Sequence, residues 1–538
     1  MLQAARTAIV TAMRYQVFHG PQFRTLASAG PATVEAIAVR GERIVALGTL
    51  QQLRRDAPAD AQFVDLGPGF AVPGFNDDHL HAFVMGVFRD HVQLDGLDAQ
   101  QIVALLRQRH GSDAELILGF GWDYQTVPHP HRSILDAAFP TTPVVLAQFG
   151  GHGLWCNSAA LAFLRIDRST PDPRHGRVER DASGDPTGIL VEMMDHKMLA
   201  REMRRRIFSP DDPVRALGLA TRALAAEGIT SAQDNTWFAR PLRAMKALHR
   251  SGALDVRYSY WRRGQMRLSA ALMRFAGTVP DWIERGPWKY FQDGTFSSRS
   301  AWLLEPYTDD PGNVGKGRSV EATERIIAWL ARRGAQGAFH SIGDRSTRTL
   351  IDAVERVSRR RPQVRKLRMR VEHGQIIAPA DIPRLAELGM VVSAQPHAAA
   401  FPDKDDQIIG RDRRLRSYPY RSLLDAGVPL AFGSDIPGEA TFAPLYGMHL
   451  AVNREGPEAI TAQEALRAYT LGSAYAEGSE ADKGSLEVGK LADLTVLDRD
   501  IVTVPPSQLQ ETVVLRTVVG GRTSYDATAP DAATGGTE

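Results

Sequence analysis

Residues 70–82 read FAVPGFNDDHLHA, and the rest of the chain is parsed from this stretch. Phe70 to Phe75 is a short apolar run broken by Pro73 and Gly74, the form of a buried β-strand bounded by turn residues. Directly after it, His79 and His81 stand two residues apart. Alternate side chains of an extended chain point the same way, so the two imidazoles converge at the carboxyl end of a strand. Two imidazoles so placed suit a divalent cation such as zinc, and active sites of parallel α/β barrels lie at that end of their strands. A His-x-His pair also occurs on ordinary surfaces, so the reading depends on what surrounds it.

Seven further runs have the same grammar of apolar strand, loop and helical pattern: Gly228 to Gln233, Val256 to Trp261, Trp288 to Gln292, Gly337 to Phe339, Met369 to Val371, Val391 to Ala394 and Pro429 to Phe432. Helical periodicity fills gaps between them at Val214 to Ala226, Thr347 to Val357 and Pro379 to Leu388. Eight such units predict an α/β fold, a closed (β/α)8 TIM-like barrel over 73–437. About 150 residues separate the first two runs, far beyond a normal crossover. A cap insertion at about 85–212 is therefore expected, with strand-like runs at Leu116 to Gly121 and Pro143 to Gln148.

Outside the barrel, 34–50 (VEAIAVRGERIVALGTL) alternates apolar and polar residues around Arg40-Gly41-Glu42 and reads as a half-buried hairpin. Residues 484–497 and 512–521 are again short strands broken by glycines. The two ends, 1–72 and 483–525, should therefore pair into one small β-sandwich, with closing helices over 438–482. Thr7 to Met13, between Arg6 and Arg14, is too short for a secretory signal and reads as a first strand; 526–538 reads as a disordered tail.

Composition excludes several classes. The chain of 538 residues is 43% hydrophobic and 23% charged, without a segment long enough to span a membrane. Lys and Arg (64) balance Asp and Glu (62), so Arg359 to Arg361 and Arg411 to Arg416 read as solvated helix faces rather than a nucleic-acid surface. One cysteine, Cys156, excludes an internal disulfide and a cysteine metal cluster, which fits a reducing compartment such as the cytoplasm.

Residues of ligand type mark later strands too: Lys289 in the fourth, His340 after the fifth, His373 after the sixth and Asp435 after the eighth. Each is followed by a loop signal, Gly294, Gly343, Gly374 and Pro437 respectively. Asp77, Asp78, Asp293 and Glu372 adjoin these positions and could orient imidazoles, although strand alternation should turn Asp78 and Glu372 away. In the insertion, Trp122, His152, Trp155 and Asn157 combine aromatic surface with hydrogen-bonding groups, which suits a substrate pocket or, for the tryptophans, a core. His397, after the seventh strand, could polarise a substrate carbonyl or simply be satisfied by its own surroundings.

Taken together, PGFNDDHLHA (73–82), GHGLWCNSAAL (151–161), PTGILVE (186–192), KYFQDGTFSSRSA (289–301), HSIGDR (340–345), VEHG (371–374), GSD (433–435) and KGSLEVGKLADLTVLD (483–498) resemble the amidohydrolase superfamily, in particular amidohydrolase family 3, over nearly the whole chain. The resemblance implies a binuclear centre: His79 and His81 on one divalent ion, most simply Zn2+, His340 and His373 on the other, and Lys289 bridging both as a CO2-derived carbamate. Carbamylation has a physical rationale, since an ammonium beside two cations is repelled whereas a carboxylated lysine offers an anionic bridge. Asp435 is the candidate general base and a further metal ligand; the metal would lower the pKa of water from about 15.7 towards about 7 and the carboxylate would take its proton. The implied activity is hydrolysis of an amide-like C–N bond in a small molecule, an N-substituted amide or formamide first, by a homo-oligomer. Two alternatives remain at this stage: a mononuclear deaminase of a heterocycle, which Lys289 argues against, and a non-catalytic barrel scaffold, which the filled ligand positions argue against.

Overall fold

The computed structural model describes the chain apart from residues 1–13, 111–113, 149–152, 173–175, 192–211, 236–238, 265–272, 274–276, 440 and 530–538. Its described residues form two compact units, one within Met1–Leu80, Thr221–Ser434 and Phe442–Gly536, the other within His81–Ala220 and Asp435–Thr441.

The first unit contains eight parallel strands, numbered here in chain order: β1 (Phe75–Leu80), β2 (Ile229–Asp234), β3 (Arg257–Arg263), β4 (Ile283–Phe291), β5 (Gly337–Ser341), β6 (Arg370–His373), β7 (Val391–Ala394) and β8 (Leu430–Phe432). Each pairs with its successor, from β1 to β8. The two end strands then meet. Ser434, just past β8, donates its N–H to Asp77 Oδ1 of β1 at 3.0 Å. A Cβ on Gly433 would stand 2.5 Å from the His79 nitrogen, so the chain passes here only because glycine has none. The sheet is thus a nearly closed barrel of the TIM type. Between strands, Pro213–Ala226, Asp344–Arg360 and Ile382–Glu387 are helices, the last entered through a 3-10 turn at Pro379–Asp381.

One predicted strand is displaced. The apolar run from Phe70 is not the first barrel strand; Phe70–Pro73 pairs antiparallel with Leu494–Leu497 in a second sheet, and the chain changes sheets at Gly74, whose missing side chain leaves room for Thr230. The barrel strand is the polar FNDDHL, every residue of it buried. A polar segment can sit there because residues distant in sequence bond it: Asn76 donates to Glu477 at 3.0 Å, and Arg370 donates to the Asp78 carbonyl at 2.9 Å.

Both chain ends share this second sheet, whose strand order is Arg522–Asp526, Val514–Val519, Leu494–Leu497, Phe70–Pro73, Tyr15–Arg24, Thr33–Arg40 and Arg43–Gly48, with Gln62–Asp65 also on Tyr15–Arg24. Phe18, Phe23, Ile37, Val39, Leu494, Val496 and Val518 form its core. The hairpin read at 34–50 is present as Thr33–Arg40 and Arg43–Gly48. Thr7 to Met13 lies outside the described residues. At the start of the stretch read as a tail, Asp526 is still in a strand and accepts from Arg516 at 2.9 Å, while 530–538 lie outside the described residues. Arg359 and Arg360 lie on an exposed helix face, but Arg414 is buried, held by Asp406 and Glu455 at 2.5 and 2.8 Å, so the second Arg-rich stretch is not simply solvated.

The second unit holds a six-stranded mixed sheet ordered Arg177–Arg180, Pro186–Val191, Gly153–Cys156, Val144–Gln148, Ile117–Trp122 and Val92–Gln93. The runs read as strands at Leu116 to Gly121 and Pro143 to Gln148 are two of these. No described helix in the chain is long and apolar enough to cross a membrane.

Candidate metal centre

Four barrel strands of the first unit bring nitrogen donors together. His79 from β1, Lys289 from β4, His340 from β5 and His373 from β6 are all buried. Lys289 Nζ lies 3.1 Å from His79 Nε2. The His79 and His373 ring centroids are 5.1 Å apart, and those of His340 and His373 4.4 Å. His340 and His373 lie within β5 and β6 rather than beyond them. His373 reaches the cluster because its backbone turns left-handed, φ 75°, breaking the alternation that would have pointed it outward.

Asp435 has the same uncommon conformation, φ 56°, and non-glycine residues held there cluster at functional sites. In the second unit its Oδ1 lies 3.4 Å from His81 Nε2, while the His81 N–H donates to the Ile436 carbonyl at 2.9 Å. Backbone and side chain thus fasten His81 to the segment that carries Asp435.

The carboxylates beside these residues have distinct tasks. Asp77 Oδ1 accepts the N–H groups of His79 and Ser434 at 3.2 and 3.0 Å and ties β1 to the end of β8. Asp293 accepts N–H groups from Trp302, Ile342 and Gly343 at 2.9–3.0 Å, clamping the loops after β4 and β5; burial pushes its carboxyl up to about 7 despite those bonds. Glu372 does not turn away from the site as alternation suggested. Its Oε2 lies 2.6 Å from His79 Nδ1, and Arg370 donates to its Oε1 at 2.7 Å. Burial opposes ionisation of Glu372, but Arg370, His79 and Lys289 outweigh it and hold the carboxyl below its usual range. Burial, only partly offset by Arg370, moves Asp78 the other way, well above its usual range. Arg370 was missed in the sequence; the signal was an arginine two residues before Glu372, which puts both on one strand face.

Several expected pocket residues do other work. Trp122 and Trp155 are fully buried in the second unit's core, with ring centroids 5.8 Å apart, and Trp122 donates to the Leu146 carbonyl at 2.9 Å. Asn157 is fully buried and structural: it caps the helix Ser158–Leu164 and bonds the backbone of Val144, Phe139 and Thr142. All three are fully buried: the rings of both tryptophans are packed in the core, and the hydrogen bonds of Trp122 and Asn157 go to backbone groups. His152 lies outside the described residues. His397 is also buried; its Nε2 donates to the Ala443 carbonyl at 3.1 Å, and burial lowers its pKa to about 4. It joins the loops after β7 and β8.

Imidazole nitrogens with carboxylate oxygens are the donor chemistry of zinc and similar divalent ions. The buried Lys289 amine fits such a set as a carbamate, since the free ammonium would repel a cation.

Residues 62–525 match the amidohydrolase family. The chain belongs to the amidohydrolase family. The N-substituted formamide deformylase of Arthrobacter pascens is 30% identical over 548 residues, which cover 96% of this amidohydrolase and 100% of the relative. The protein LONG AFTER FAR-RED 3 of Arabidopsis thaliana is 29% identical over 525 residues, 91% of this chain and 88% of that one. Among solved structures, an uncharacterized metal-dependent hydrolase from Pyrococcus furiosus superposes with a TM-score of 0.73 at 26% identity, over 91% of this chain and 100% of that one. This amidohydrolase is accordingly a hydrolase acting on carbon–nitrogen bonds.

Proposed function

We propose that the protein hydrolyses an N-substituted amide or formamide, using two divalent ions, most simply zinc, held by His79, His81, Lys289, His340, His373 and Asp435, with Lys289 carbamylated. The observation that carries the reading is the convergence of Lys289 and three histidines from four barrel strands, with Lys289 Nζ 3.1 Å from His79 Nε2. Chain continuity adds the others: His81 is two residues beyond His79, and Asp435 follows Ser434, whose N–H is bonded to Asp77. The deformylase relative favours formamides among amide-like bonds.

A bound divalent ion supplies the acidity that makes water nucleophilic at neutral pH and polarises the carbonyl under attack. The chain's residues do the rest. Asp435 accepts the proton that the attacking water gives up and passes it to the leaving nitrogen as the C–N bond breaks, so that a carboxylate and an amine are released. The buried histidines and the aromatic rings of Trp261 and Phe291 near Lys289 keep bulk water from its amine.

Elemental analysis of purified protein should give close to two divalent ions per chain, and a screen of N-substituted formamides, N-acyl amines, cyclic amides and aminopurines should yield carboxylate from amide substrates. Full activity without metal overturns the reading. One ion per chain with ammonia released from a ring amine replaces it with a deaminase.

A further inference from the structure

Beneath the imidazoles, Arg370 is fully buried at the centre of a polar frame. It donates through Nε to Glu372 Oε1 at 2.7 Å, through Nη1 to Gln233 Oε1 at 2.5 Å, and through Nη2 to the Asp78 carbonyl at 2.9 Å and Ser393 Oγ at 3.0 Å. The frame therefore draws on β1, β2, β6 and β7. Ser393, having accepted from Arg370, donates its hydroxyl proton to Glu372 Oε2 at 2.7 Å. Both carboxylate oxygens are thus oriented by donors, and the one left facing an imidazole is Oε2, 2.6 Å from His79 Nδ1.

An ionised carboxylate has no proton to give, so at that separation the hydrogen must belong to Nδ1. Neutral imidazole carries only one. With Nδ1 protonated, the lone pair is on Nε2, the nitrogen that faces Lys289 Nζ at 3.1 Å. The ring is further located by Trp261, whose centroid is 4.9 Å from that of His79 and which also packs on the Arg370 guanidinium at 4.7 Å.

We propose that Glu372 is a positioning residue for His79: clamped by Arg370 and Ser393, it fixes the proton on Nδ1 and presents the Nε2 lone pair to the metal. This rests on the metal-centre reading above. Partners of this kind behind a ligand histidine typically contribute 10–100-fold to metal affinity.

The decisive variant is Glu372→Gln. Its amide oxygen is claimed by Arg370, so its NH2 is turned towards Nδ1 and selects the opposite tautomer, with little change in volume. Nitrogen-15 spectra of the histidines in metal-stripped protein, with the His79 signals assigned by comparison with His79→Gln, should show Nδ1–H in the wild type and Nε2–H in Glu372→Gln. Chelator competition should show about 10–100-fold weaker zinc binding for one ion and little change for the other. Glu372→Asp, which keeps an anionic acceptor, should retain the Nδ1–H tautomer and recover part of the affinity. Wild-type tautomer and affinity in Glu372→Gln overturn the proposal, as does an Nε2–H signal for His79 in the wild type, a result available even if the variant does not fold. A wild type that binds no divalent ion overturns the proposed metal centre instead, and leaves the tautomer result to be read separately.

Discussion

At Asp435 the backbone is held at φ 56° beside His81, so the structure maintains an unfavourable local conformation to place one carboxylate. Asp435→Asn nearly preserves its shape and leaves a carbonyl oxygen to offer, but the amide cannot accept a proton from water. Turnover should fall by about 100-fold or more with metal content and thermal midpoint little changed, both measured on one preparation; near-normal kcat removes Asp435 from proton transfer, and loss of metal makes it chiefly a ligand. Lys289→Ala should lose bound metal and most activity while the barrel still folds, with short carboxylic acids partly restoring turnover; unchanged metal and rate refute the carbamate. His397 allows a pH prediction. Its folded pKa, about 4, lies below the ordinary 6.5, so in acid the unfolded chain takes up a proton that the folded chain refuses. Its share of the stability is present above about pH 6.5, is lost as pH falls towards 4, and amounts to at most about 3 kcal/mol. His397→Asn should flatten the fall in denaturation midpoint over that window; an unchanged slope shows that other groups cause it. The ligand types at strand ends were legible in the sequence because His, Lys and Asp there are conspicuous among apolar residues. The tasks of Trp122, Trp155 and Asn157 were not, since an aromatic or amide side chain reads alike whether its surface meets a substrate or a neighbouring strand.

The strand β1 shows where reading by element succeeds and fails. Seven of the eight barrel strands overlap the runs that announced them, because strands of a parallel sheet covered on both faces are enriched in apolar residues. The first does not overlap beyond Phe75, because FNDDHL is held in place by hydrogen bonds to Arg370, Glu477 and Ser434, partners up to 401 positions away that no local pattern reveals. Closure of the barrel depends on the same element. At Gly433 an added Cβ would meet His79 N at 2.5 Å, Asp78 Oδ1 at 2.7 Å and Asp77 Oδ1 at 2.8 Å, none of them the end of a long flexible side chain. Gly433→Ala should therefore push the end of β8 from β1, destabilising the protein by about 1–3 kcal/mol, the usual range for overpacking, and weakening metal binding as His79 shifts. Denaturant unfolding and zinc titration check the two effects; wild-type values for both would show that the strand ends separate without strain.

At the scale of the whole molecule, the chain's two ends and the barrel are joined by charge as well as by strands. Arg257, at the start of β3, is 2% exposed and bonds Asp493 through Nε at 2.7 Å and Nη2 at 3.0 Å, while Nη2 also reaches Glu42 at 2.9 Å. Asp493 immediately precedes the C-terminal strand Leu494–Leu497, and Glu42 sits in the N-terminal hairpin turn, so one guanidinium ties segments from both parts of the chain that build the terminal sheet to the barrel. Burial works against the charge on Arg257, but Asp493 and Glu42 more than compensate and raise its pKa. The arrangement was hidden in the sequence, where Arg257, Glu42 and Asp493 are separated by hundreds of residues and look like surface charges. A buried pair of this kind need not be more stabilising than apolar residues of the same volume, yet removing one partner strands the other without water, at about 3–5 kcal/mol. Arg257→Met, which strands Asp493, should destabilise the protein by about that amount in denaturant unfolding, Asp493→Leu by less because Glu42 still pairs with Arg257, and the double variant by clearly less than their sum, because it buries no lone charge. Strict additivity of the two losses would show that the ends are held by strand pairing and the apolar core alone.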